Sequence, residues 1–82
     1  MELIEIKKIA VYLKDLEEGL YEFDYQGLPT LGHLNRLYVI IPRLMDATFK
    51  TENQDMKIIL ANLEYKARKC KNFIEDNLAV KN

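Results

Sequence analysis

This sequence has no tryptophan, one cysteine, one histidine, two prolines and three glycines in 82 residues. Each scarcity excludes something. A lone Cys70 cannot build an internal disulfide framework, which fits a reducing compartment. With His33 as the one histidine, the Glu-x-x-His pairs of a helical dimetal centre cannot form, so neither metal nor cofactor is expected. No uninterrupted apolar run approaches membrane length. The start, MELIEIKKIAV, puts acids at 2 and 5 and lysines at 7 and 8, where a leader would have a basic and then an apolar segment. The chain therefore reads as soluble and cytoplasmic, without membrane contact. There is also no P-loop, dinucleotide fingerprint, Gly-x-Ser-x-Gly or RNA-recognition signature.

What is present is the composition of a folded chain: 49% hydrophobic and 30% charged. Residues 1–82 make a single domain, large enough for one core but with little area to spare. Net charge is −1, but residues 1–27 hold seven acids against three lysines, and residues 28–82 nine bases against six acids. Such asymmetry can steer a charged partner, or lay an acidic helix against basic neighbours. Lysine exceeds arginine nine to three, and Ile, Asn and Tyr are frequent, a bias of AT-rich coding that points to a low-GC bacterial, phage or mobile-element source.

Apolar periodicity predicts three helices, over about 2–26, 31–49 and 52–78. The first seam is Ile6, Ile9, Leu13, Leu16, Leu20 and Phe23, spaced 3, 4, 3, 4 and 3. In the stretch LYEFDYQGLP that seam outweighs the period-2 alternation of aromatics and acids. The stop is expected at Gly27, with Leu28 packing back on Phe23, Pro29 barring continuation and Thr30 capping the next helix.

The second seam is Leu34, Leu37, Ile41, Leu44 and Thr48, expected to be widened by Tyr38, Met45 and Phe49. Pro42 predicts a kink within one helix rather than a break. TENQ at 51–54 reads as a capping box opening the third helix, whose seam is Met56, Leu60, Leu63, Ala67, Cys70 and Ile74, flanked by Ile59 and Phe73. The expectation is an all-α, antiparallel up-down-up three-helix bundle that pairs as a homodimer or higher oligomer, because the shorter helix 2 leaves seam uncovered at one end and its stretch LYVII at 37–41 is apolar all round.

Two residue groups are candidate sites. Tyr21, Glu22, Asp24 and Tyr25 remain outside the first seam as an acidic, aromatic patch suited to a protein partner. His33, Arg36, Arg43 and Lys50, spaced 3, 7 and 7, form a basic stripe able to grip an anionic small ligand such as a nucleotide; the same stripe could instead pair with Asp15, Glu18 and Glu22. Those three acids lack the ligand types of a metal site. Lys66, Arg68, Lys69 and Lys71 spread around a helix rather than forming a nucleic-acid stripe, so nucleic acid is not the expected partner. Cys70 lies on a seam and reads as a small buried hydrophobe, not a nucleophile. The leading functional reading is a small non-catalytic protein that binds and modulates a protein partner, as an adaptor, inhibitor or immunity-type factor. A ligand-sequestering oligomer comes second, and an enzyme of unrecognised type third.

Overall fold

The computed structural model describes residues 1–22 and 30–81, with side chains over 1–19 and 31–76. They form three helices, α1 (Leu3–Glu22), α2 (Thr30–Lys50) and α3 (Gln54–Lys81), and among the described residues there is no strand. At 1.5 Å per residue α3 is about 42 Å long. It spans the 43 Å long axis of a body 20 by 16 Å across.

Side-chain contacts fix the relative directions. Glu5 of α1 meets Arg43 of α2, while Tyr12, further along α1, meets His33, nearer the start of α2. Tyr38 and Met45 of α2 reach Glu75 and Arg68 of α3. In both pairs the numbering runs in opposite senses, so the order is up, down, up in a bundle-like arrangement. The backbone of α3 comes close to both neighbours, whereas α1 and α2 lie farther apart and meet through long side chains.

The core follows the three seams. Ile6, Ile9, Leu13 and Leu16 come from α1, and Leu34, Leu37, Ile41 and Leu44 from α2. Leu60, Leu63, Ala67, Cys70 and Ile74 come from α3, with Met56 and Phe73 half-buried against them. No polar side chain is buried among the described residues. The described interior is apolar, and every described cross-helix polar contact sits at its rim. Leu20 and Phe23, and the stop at Gly27, Leu28 and Pro29, lie outside the described side chains.

Ile59, expected beside the α3 seam, is exposed, and two larger expectations change. On α2 the buried arc widens toward Ile40 and Ala47, while Tyr38, Met45 and Phe49 face outward, Phe49 being 89% exposed. Because α2 has to face α1 on one flank and α3 on the other, the arc centres on Leu37 and Leu44, and the opposite side of the helix is left to solvent. Second, the cap of α3 is Asn53 rather than Thr51. Asn53 Oδ1 accepts the Met56 amide at 3.0 Å, and Thr51 Oγ1 accepts the Asn53 amide at 3.3 Å. Asparagine is at least as good a cap as threonine, and moving the cap two residues lets α2 close its last bond, from the Thr51 amide to the Ala47 carbonyl at 3.0 Å.

α2 passes through Pro42 as one helix. Proline removes the amide that would bond the Tyr38 carbonyl. Both residues are exposed, so water can take that amide's place.

Candidate functional site

The basic stripe of α2 does not act as one unit. Its first two members converge on Tyr12 of α1. The Tyr12 hydroxyl lies 2.8 Å from His33 Nδ1, their rings are 5.9 Å apart and tilted by 35°, and the Arg36 guanidinium sits 5.1 Å above the Tyr12 ring. Burial pushes the Tyr12 phenol above its usual range, and Arg36 opposes that shift. A phenol that stays protonated and a cation held over its face make a neutral-plus-positive latch between α1 and α2. Tyr12, Asp15, Leu16, Gly19 and His33 line a small cavity of about 180 Å³ beside it.

The other two members are engaged elsewhere. Arg43 forms an ion pair with Glu5, and Lys50 pairs with Asp46 at 3.1 Å within its own helix. The acids these bases were matched with, Asp15 and Glu18, are not their partners, because opposed helix directions bring Glu5 level with Arg43. Exposed pairs of this kind contribute little to stability. Arg43 and Lys50 also stand on the rim of a cavity of about 490 Å³ among the described residues, at the end of the bundle where α1 starts, α2 ends and α3 starts. Its floor is apolar, from Ile6, Ala47, Met56 and Leu60, and its rim polar, from Asp46, Thr51 and Asn53 as well as the two bases.

On the α3 side of α2, polar residues form a separate line. Arg68 donates to Glu64 at 2.9 Å and to the Met45 sulfur at 2.9 Å, while Glu75 accepts from Lys71 at 3.1 Å and from the Tyr38 hydroxyl at 2.7 Å. Those two hydrogen bonds, Tyr38 first, hold the Glu75 carboxyl below its usual range; the same bond raises the Tyr38 phenol. Arg68 and Lys71 of the basic run are therefore tied to acids one helical turn away. Cys70 is enclosed, and its thiol is pushed up to about 11, by burial first and then by Glu17, against weaker opposite pulls from Lys69 and Lys66. Such a thiol is inert at neutral pH.

Between these polar lines runs the largest feature that the sequence reading placed wrongly. Leu31, Asn35, Tyr38, Pro42, Met45 and Phe49 recur at spacings of 4, 3, 4, 3 and 4, and all six are exposed, with Val39 beside them. This is a second apolar seam on α2, turned away from the core. The pattern is readable from Leu31 onward, but Tyr38, Met45 and Phe49 equally fit the margin of the Leu34, Leu37, Ile41 and Leu44 seam. Tyr12 was missed as well; it becomes visible once α1 and α2 are laid antiparallel. Of the acidic aromatic patch, Tyr21 and Glu22 fall in the last turn of α1, their side chains outside the described set, and Asp24 and Tyr25 lie outside the described residues.

Compared with models of known families, with curated proteins and with solved structures, the chain matches none. No helix among the described residues is long and apolar enough to cross a membrane, and they contain no cluster of metal-ligating side chains.

Proposed function

We propose that this protein acts by binding another polypeptide chain, without catalysis, as an adaptor, inhibitor or immunity-type factor. The observation that carries the reading is the outward seam of α2, where four large apolar side chains, Leu31, Tyr38, Met45 and Phe49, stand exposed on one face next to a fully packed core. Contiguous apolar surface of several hundred Å² mostly marks contact sites. Pro42 lies on this exposed face, where a proline's missing amide favours a bend convex toward solvent. Tyr21, Glu22, Asp24 and Tyr25, an acidic and aromatic group in the sequence, are a further candidate for contact with the partner. The catalytic alternatives have less support: His33 is engaged by Tyr12, and Cys70 is a buried, protonated thiol.

The test is capture of bound chains by the tagged protein from its own cells, read by native mass spectrometry. Phe49→Glu with Met45→Glu, still helical by circular dichroism, is expected to lose the co-purifying chain. Retention of that chain at the parent level contradicts the reading.

A second reading is favoured by the end cavity, where Arg43 and Lys50 flank an apolar floor. It makes the protein a binder of an anionic small molecule such as a nucleotide. A ligand at 100 times its dissociation constant stabilises by about 2.7 kcal/mol, so a thermal-shift screen of nucleotides and carboxylates settles the matter. No shift with any anion removes this reading.

A further inference from the structure

We infer that the chain which covers the outward face of α2 is a second copy of this protein, packed with its α2 antiparallel to the first about a two-fold axis level with residue 40. The inference rests on the binding reading above and names its partner. The first ground is that the seam is self-complementary when reversed. Six positions spaced 4, 3, 4, 3 and 4 give three kinds of layer in such a pair: Leu31 against Phe49 of the second copy, Asn35 against Met45, and Tyr38 against Pro42. A bulky residue never meets itself. Val39 lies nearest its own counterpart, beside the axis. The 3 and 4 alternation is the seam that antiparallel helices share at a shallow crossing angle.

Charge gives the second ground. The rim toward α3 carries Glu64, Arg68, Lys71 and Glu75, two of each sign, so on that side a copy meets no field of one sign. On the other rim, reversal sets Asp46 level with residue 34 of the second copy, about 3 Å along the axis from both Gly32 and Arg36, and brings Arg36 nearly level with an Arg43 whose charge Glu5 already pairs. A side chain built on Gly32 would meet nothing in the single chain, which leaves that space open for the opposing Asp46.

Area is the third. The exposed parts of Leu31, Tyr38, Val39, Met45 and Phe49 amount to on the order of 600 Å² per copy, with Phe49 the largest share. Two copies then cover roughly 1,200 Å², the lower bound of specific interfaces. The dimer is accordingly one that dissociates on dilution.

The experiment uses the full chain. Light scattering after size exclusion is expected to give a dimer mass at high concentration, and Phe49→Glu is expected to weaken dimerisation at least tenfold with helicity unchanged. Under mild oxidation Val39→Cys is expected to form a disulfide-linked dimer, while Val11→Cys, exposed on α1, does not, and buried Cys70 leaves the parent uncrosslinked. A monomeric mass at every concentration overturns the inference, as do a dimer that survives Phe49→Glu and equal crosslinking at Val39→Cys and Val11→Cys. A monomer whose capture of another chain is still lost in the Phe49→Glu, Met45→Glu variant overturns the self-association alone and leaves the binding reading standing.

Discussion

Leu44 and Phe49 are both large apolar residues near the end of one helix, yet they stand on opposite sides of it. Leu44 is 0% exposed and Phe49 is 89% exposed. Truncating Leu44 to alanine leaves a cavity that the three-helix core can only partly fill, at a cost of about 2–5 kcal/mol. An 82-residue chain has a total stability of about 4–12 kcal/mol at ordinary values per residue. The substitution therefore removes a large part of it, and the thermal midpoint falls by about 8–40 °C. Phe49→Ala touches no core atom, so in dilute solution its effect stays within about 0.5 kcal/mol. At high concentration Phe49→Ala lowers the midpoint relative to the parent, because the parent alone gains from association. The assay is circular dichroism melting of the parent and both variants across a hundredfold range of concentration. A loss for Phe49→Ala as large as that for Leu44→Ala at low concentration would refute the assignment of inner and outer faces.

Three other outcomes follow from the same geometry. Gly19→Ala is expected to stabilise by about 0.5–1 kcal/mol, since Gly19 is helical and an added Cβ meets nothing within 4 Å; a lower urea midpoint would contradict its place on α1. Pro42→Ala restores an amide for the Tyr38 carbonyl and is expected to raise the dilute thermal midpoint by about 1–3 kcal/mol equivalent while weakening self-association, and a lower dilute midpoint would count against it. The third concerns pH. The Cys70 thiol, normally near 9, is raised to about 11, so the unfolded chain loses its proton first. Its contribution to stability is intact below pH 9 and is lost as pH rises through 11, and the raised Tyr12 phenol acts in the same direction. Melting midpoints are expected to hold from pH 6 to 8 and decline above 9, less steeply in Cys70→Ala. Fast reaction of the native thiol with Ellman's reagent at pH 8 would show it is not enclosed.

The helical seams of α1 and α3 were legible because each carries one 3, 4 register of apolar residues that maps directly onto burial. α2 was harder to read. Its apolar residues fill two registers, one from Leu34 and one from Leu31, and periodicity cannot say which faces the core until two neighbours are placed. The cap of α3 was ambiguous for a related reason: Thr51 and Asn53 both carry capping oxygens, and the choice is set by where α2 ends. His33, Arg36, Arg43 and Lys50 share one helix, but their partners depend on helix direction and register, which bring Tyr12 to Arg36 and Glu5 to Arg43.

The outward face of α2 carries the functional account, and Met45 reports on it directly. Met45 lies on that face, whereas Met56 lines the end cavity. Carbon-13 methyl spectra of the methionine-labelled protein, recorded over a dilution series, are predicted to show the Met45 resonance shifting with protein concentration while Met56 stays fixed. A Met45 resonance that is unchanged from micromolar to millimolar protein would contradict the claim that this face meets a second copy.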